Sequence, residues 1–176
     1  TRWGLMRNTF SENIQEHSHQ VAVLAHALAL IRRDVLRLSG PDPDKCAVAA
    51  LYHDASEILT GDLPTPIKYY NPDIKSAYKQ VERIAGERIL DMLPPVLRQS
   101  YESLVLEEDE EIGKIVKAAD KLSAYIKCVE EQKAGNTEFD SAAVLTMDSM
   151  KQMAMPELDW FIENCLPAYS LNIDQL

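Results

Sequence analysis

The sequence predicts an all-α fold, and three observations carry that expectation. Apolar residues recur at helical spacing through several long segments. Helix-start signals, an Asp or Asn followed by proline, precede two of them. No stretch sustains the apolar-polar alternation of a half-buried strand.

Each element follows in order. Val21, Leu24, Leu28 and Ile31 define one face of a first helix from about Ser11 to Leu38, with His17 one turn before Val21 on that face. Asp42-Pro43 opens a second helix, running through Ala47, Ala50, Leu51 and Ile58 to Gly61, a residue suited to the left-handed terminal position. The prolines in Asp62-Leu63-Pro64-Thr65-Pro66 lack the amide hydrogen a helix needs, so a short rigid loop is expected there. Asn71-Pro72 starts a helix to about Met92 with Val81, Ile84 and Ile89 inward, and Pro94-Pro95 a shorter one towards Leu104. Ile112, Ile115, Val116, Ala119, Leu122, Ile126 and Val129 form the stripe of a long helix from about Glu110 to Lys133, with Asp120 beside it. Two further helices, near Asp140–Met155 and Pro156–Leu166, complete the chain.

At 176 residues the chain suits one domain with a substantial core. Its 46% hydrophobic and 26% charged content is that of a globular protein. No apolar run is long enough for a membrane span, and no basic leader with an apolar stretch follows Thr1, so neither a membrane nor a signal peptide is expected. A net charge of −10 disfavours a nucleic acid polymer as partner. A small phosphorylated molecule stays compatible, because a metal ion reverses the field locally. Cys46, Cys128 and Cys165 are odd in number and far apart, which reads as reduced thiols in a cytoplasmic protein rather than a thiolate zinc site.

Three segments place polar residues on or near buried faces: His17, the pair His53-Asp54, and Asp120. A buried carboxylate is costly unless a cation compensates it. Two imidazoles and two carboxylates make a borderline-hard site with open positions, suited to Mn, Co, Fe or Zn. This H…HD…D pattern resembles the HD-domain phosphohydrolases. The longer strings are more specific: EHSHQVAVLAHAL around His17, LYHDASEILTGDLPTPIKYY around His53 and KAADKLSAYIKC around Asp120 resemble the 5′-deoxynucleotidase branch. The similarity runs from RWGLMRN nearly to the C-terminus.

That resemblance implies a single HD-domain helical bundle over residues 1–176, and hydrolysis of 2′-deoxyribonucleoside 5′-monophosphates to deoxynucleoside and phosphate. It also implies one divalent metal ion, with cobalt, manganese and copper among those supporting activity, and a cytoplasmic homodimer. Its ligands would be His17, His53, Asp54 and Asp120, so that His17, Asp54 and Asp120 also border the substrate phosphate. Glu57, one turn after His53, takes the proton-transfer role, as base or acid, or else positions the water. Arg2 would neutralise the non-bridging phosphate oxygens. Arg2 and Trp3 match the Arg-Trp pair that contacts substrate in that family, and Trp3 would press against the sugar where a 2′-hydroxyl would stand. Asp62 would accept from the 3′-hydroxyl, with Leu63, Pro64 and Thr65 completing the wall by backbone and shape.

Arg2 and Trp3 serve these roles only if their segment folds back over the pocket. His19 and His26 lie on other faces and read as structural or exposed. The acidic run at 107–111 reads as a solvated helix start, and Tyr69, Tyr70, Met147, Met150, Met153 and Met155 as packing or interface residues. Two alternatives remain: an HD-type phosphodiesterase or nucleotide pyrophosphohydrolase, and a non-catalytic HD scaffold.

Overall fold

The computed structural model describes residues 1–68, 71–106 and 109–175, and of Thr65, Pro66 and Ile173 the backbone alone. Tyr69-Tyr70 and the Glu107-Glu108 part of the acidic run lie outside the described residues. The described elements are helical throughout: α1 Ile14–Leu30, α2 Pro43–Tyr52, α3 Glu57–Thr60, α4 Thr65–Lys68, α5 Pro72–Asp91, α6 Pro95–Val105, α7 Glu110–Lys133, α8 Asp140–Gln152 and α9 Pro156–Asn164. Single 3-10 turns at Thr137–Phe139, Leu166–Ser170 and Ile173–Gln175 link or follow them. No helix among the described residues is long and apolar enough to cross a membrane.

Local chemistry sets the boundaries. Asn13 caps α1, its side chain accepting from Glu16 N while the Glu16 carboxylate takes Asn13 N, so the helix starts three residues later than the apolar pattern suggested. Its far end widens into a π-turn over Ile31–Val35, where Leu36 N reaches back to Ile31 O. Asp42, Asn71 and Asp109 cap α2, α5 and α7 as their side chains predict.

Other expectations need correction. The second helix does not run on to Gly61. It stops at Tyr52, because the His53 imidazole takes the Ala50 carbonyl at 2.7 Å, the acceptor that Asp54 N would use in a continuing helix. The chain then turns through three-residue backbone bonds, Ala55 N to Tyr52 O and Glu57 N to Asp54 O, before α3 resumes. Similarly, the proline loop is shorter than expected, because Pro64 O accepts from Ile67 N and Lys68 N and so starts the single turn of α4. Gly61 does take a positive φ of 73°, and Tyr78 of α5 donates to its carbonyl.

α1 packs against α2 and α7 to make the centre of the bundle. Val21, Leu24, Ala25 and Leu28 of α1 meet Cys46 and Ala50 of α2 and Ile115, Val116, Ala119, Leu122 and Ile126 of α7; the stripes of α1 and α7 follow their spacing, whereas Leu51 and Ile58 of the expected second helix are exposed. α8, α9 and Leu166 close one side through Met150, Leu158 and Phe161. Met150 is buried, and Met147, Met153 and Met155 pack on the same core. On α5 the inward face is Ala85, Gly86 and Leu90, whereas Val81 and Ile84 are exposed and Ile89 is half-buried. Gly86 permits that rotation, since a Cβ there would lie 2.7 Å from Leu106 Cδ2.

The first ten residues form an arm laid along α7. Glu131, fully buried, accepts Thr9 N at 2.9 Å, Phe10 N at 3.2 Å, Asn136 Nδ2 at 2.8 Å and Lys127 Nζ at 2.6 Å. Asn136 also donates to Arg7 O, and Lys127 to Phe10 O. Trp3 and Met6 of the arm pack on Cys128, Phe139 and Ala143. Burial alone would raise the Glu131 carboxyl, but these hydrogen bonds outweigh it and hold the group well below its ordinary value of 4.5. A depressed carboxylate stabilises the fold above the unfolded value and loses that contribution as pH falls through the folded one. The urea midpoint should therefore drop as pH is lowered from 5 to 3. Glu131→Gln should flatten this slope and cost on the order of 3 kcal/mol at neutral pH, because Lys127 is left buried without its counter-charge.

Candidate active site

The break after α2 is what aims His53 and Asp54 together. His53 Nε2 lies 3.3 Å from Asp54 Oδ2, and the same oxygen lies 3.6 Å from His17 Nε2 of α1. From α7, Asp120 Oδ1 approaches His17 Nε2 to 3.1 Å. His17, His53 and Asp120 thus offer ligand atoms within 4.8 Å of one another, a group able to hold a metal ion. Asp54 touches both imidazoles of that group.

The hydrogen bonds behind the imidazoles fix their tautomers. His53 Nδ1 faces the Ala50 carbonyl, which only accepts, so Nδ1 carries the proton. His17 Nδ1 faces Ser123 Oγ at 3.2 Å, and the serine proton is committed to Gln20 Oε1 at 2.6 Å, so Nδ1 is again the donor. Both Nε2 atoms are left as lone pairs, buried and without a hydrogen-bond partner. They face two carboxylates. Acceptors packed this closely repel one another until a proton or a metal ion stands between them, and two imidazoles with two carboxylates are a donor set that fits a divalent metal.

Electrostatics separate the carboxyls. Desolvation raises Asp120, but His17 and His53, when they carry a proton, together with Arg2 outweigh this and bring it to about 2, and a metal ion at the Nε2 atoms would supply the same positive charge. Burial pushes Glu57 up to about 8, helped by the charges of Asp54 and Asp62 and opposed by Arg2 and Lys68. Glu57 is buried at the start of α3, and its Oε2 has no partner. His17 is fully buried while the Asp120 side chain is 40% exposed, so the cluster opens towards solvent on the α7 side.

The arm does fold back. Arg2 Nη1 reaches Asp54 Oδ2 at 3.4 Å, and Arg2 Nε binds Glu12 Oε2 at 3.1 Å. Trp3 Nε1 donates to the same Glu12 oxygen, and its ring lies 5.2 Å from Phe139. Asp62, close enough to act on both Arg2 and Glu57 electrostatically, is half-buried with Leu63 and Pro64. The Thr65 side chain is not among those described. His19 is exposed, and His26 pairs with Asp44 at 3.4 Å on the surface. A groove of about 490 Å³ bordered by α2, α6 and α7, lined by Val48, Ala49, Leu104, Ile112 and Val116 among others, includes none of these site residues.

Sequence reasoning missed the supporting groups: Ser123, Gln20, Glu12, Lys127 and Glu131. Ser123 carried a signal, being a polar residue inside the apolar stripe of α7, three positions after Asp120. Lys127 and Glu131 stand four residues apart, a spacing that ordinarily marks a solvated pair.

An all-α bundle in which α1, α7 and the turn that ends α2 bring two histidines and two aspartates to one point is the architecture of an HD-domain hydrolase. A crystal structure of an HD-domain phosphohydrolase from Listeria innocua has the same fold, with a TM-score of 0.79, 23% identity, and coverage of 96% of this chain and 82% of that one. The profile of the YfbR-like 5′-deoxynucleotidases matches residues 1–169. A 5′-deoxynucleotidase of Erwinia tasmaniensis is 48% identical over 178 residues, covering 99% of this chain and 89% of the relative. One of Vibrio atlanticus is 45% identical over 178 residues, covering 99% and 91%. The chain belongs to the YfbR-like 5′-deoxynucleotidase family.

Because Ser123 sets the His17 tautomer, Ser123→Ala should weaken Mn²⁺ binding about 10–100-fold, measured by titration calorimetry, with little change in fold by circular dichroism.

Proposed function

We propose that this chain is a metal-dependent 5′-deoxynucleotidase that releases phosphate from 2′-deoxyribonucleoside 5′-monophosphates. The observation that carries the metal site is the pair of orphaned Nε2 lone pairs facing carboxylates. His17, His53, Asp54 and Asp120 would hold one divalent ion, cobalt, manganese or copper. When bound, that ion would supply Lewis-acid charge withdrawal and an acidified water.

The remaining roles belong to side chains. Water adds across the P–O5′ bond, its oxygen staying on phosphorus and a proton ending on the 5′-oxygen. Glu57, raised to about 8 by burial and neighbouring carboxylates, is poised near neutrality to take or give that proton. Its carboxyl can also simply orient the water. Arg2, already within 3.4 Å of Asp54, would bind the non-bridging oxygens through its forked donors. Trp3 would exclude a 2′-hydroxyl. Asp62 would accept from the 3′-hydroxyl, while Leu63, Pro64 and Thr65 complete the sugar wall.

The cytoplasmic homodimer remains part of this proposal. Val81 and Ile84 of α5 and Val96 of α6 supply exposed apolar surface for it. Sedimentation at micromolar concentration should give twice the mass of 19.8 kDa, and a single monomer peak would remove the dimer. Phosphodiesterases and pyrophosphohydrolases of this fold often use a second metal and further histidines. Among the described residues a single cluster of metal-ligating side chains occurs.

Phosphate release with Co²⁺ should proceed from dAMP and be much slower from AMP, dATP and a cyclic dinucleotide. Glu57→Gln should lower kcat by about 10²–10⁴-fold with KM within a few-fold of wild type. A protein that binds neither Mn²⁺ nor Co²⁺ would instead be a non-catalytic scaffold.

A further inference from the structure

Trp3 sits in the left-handed backbone region, with φ of 59°, where a bulky side chain rarely stays without restraint. Several restraints are in place. Its carbonyl accepts from Met6 N at 2.9 Å and from Asn8 Nδ2 at 3.3 Å, and its ring is stacked at a tilt on Phe139. The indole nitrogen donates to Glu12 Oε2 at 3.2 Å. That same oxygen receives Arg2 Nε at 3.1 Å, and the Glu12 carbonyl accepts Arg2 N at 2.9 Å. Glu12 stands one residue before Asn13, the cap of α1, so its backbone is tied to the helix that carries His17.

We propose that Glu12 is the positioning residue for substrate selectivity: one carboxylate oxygen sets the Trp3 indole and the Arg2 guanidinium against each other, in register with α1. The proposal rests on the reading of Trp3 as the sugar wall and Arg2 as the phosphate clamp. Sharing a single acceptor makes wall and clamp one unit. With Arg2 Nε held by Glu12, its terminal nitrogens are turned towards the metal cluster, as the Nη1 contact with Asp54 demonstrates. Without the acceptor, the indole keeps only its apolar packing against Phe139, Cys128 and Ala143 and can swing by the ångström or so that separates excluding a hydroxyl from admitting it. Glu12 touches neither imidazole, so its loss leaves the metal ligands in place. Glutamine keeps an acceptor oxygen in nearly the same position, whereas alanine removes it.

The experiment compares wild type, Glu12→Ala, Glu12→Gln and Trp3→Ala by kcat/KM for dAMP and for AMP. A Trp160→Phe background makes Trp3 the sole tryptophan for fluorescence. Glu12→Ala should reduce the preference for dAMP by about tenfold or more, raise KM for dAMP more than it lowers kcat, and red-shift Trp3 emission. Glu12→Gln should restore most of the preference, and Mn²⁺ affinity should match wild type in both. Wild-type preference and emission in Glu12→Ala would overturn the proposal, as would equal losses in the Ala and Gln variants. Retained preference in Trp3→Ala would fault the sugar wall itself, and the proposal falls with it. If wild type releases no phosphate from dAMP, the nucleotidase reading fails, and emission, which needs no turnover, still decides whether Glu12 holds the indole.

Discussion

Two imidazole lone pairs, each backed by a committed hydrogen bond, face two carboxylates across less than 4 Å. This arrangement is the constraint on which the rest of the bundle depends. Without a proton or a metal ion between them it is repulsive, and a solvated surface would relax it by letting the side chains swing apart. Here they cannot. His17 is clamped between α1 and α7 by Ser123, and His53 is clamped to its own helix by the Ala50 carbonyl. The apolar contacts of α1, α2 and α7 therefore work against this repulsion. Each fully buried Leu or Ile in that interface contributes about 1.5–3 kcal/mol, enough in sum to hold the acceptors together until a cation completes them. The fold carries an unmet electrostatic demand in its centre, and metal binding would meet it.

The break in the second helix belongs to the same logic. Had α2 continued, successive side chains would point about 100° apart, and Asp54 would turn away from the point where the His53 Nε2 atom aims. Surrendering the Ala50 carbonyl to the imidazole ends the helix and orients the ring in one stroke. The tight turns that follow bring Asp54 back to both imidazoles and place Glu57 at the head of a new short helix, buried beside two other carboxylates. One hydrogen bond thus shapes the metal cluster and raises the proton affinity of the neighbouring acid.

Much of this was legible in the sequence. The stripes of α1 and α7 read directly, because both helices are packed over most of their length and their spacing is regular. The His17, His53-Asp54 and Asp120 cluster followed from placing those polar residues on the same faces. The α2 break was not legible, since it comes from a side chain replacing a backbone donor, which no spacing rule registers. Val81 and Ile84 misled for a different reason. α5 is covered on one side only, and the small residues Ala85 and Gly86 allow close approach there, so the larger side chains are turned outward. The arm was the hardest to foresee. Its anchor, Glu131, spends a charge deep inside the protein, and a glutamate four residues after a lysine ordinarily marks a solvated helix face.

The consequence is a division of labour with different mechanical footings. Of the groups proposed for metal chemistry, His17 and Asp120 stand on α1 and α7, and His53 and Asp54 directly follow α2, so local opening there requires much of the core to open with them. The groups proposed for recognition, Arg2 and Trp3, stand on a terminal arm whose backbone is otherwise held by a few polar anchors. Terminal segments fray unless tied down, and beside Asn136 and Lys127 the principal ties here are two carboxylates: Glu131 for the backbone at Thr9 and Phe10, Glu12 for the two side chains. Carboxylates suit this task because one group can collect several donors from a segment too short to make helix or sheet bonds of its own. Recognition can consequently be altered without disturbing the cluster beneath it. The reverse does not hold, because Arg2 leans on Asp54, and any displacement of that aspartate moves the arm as well.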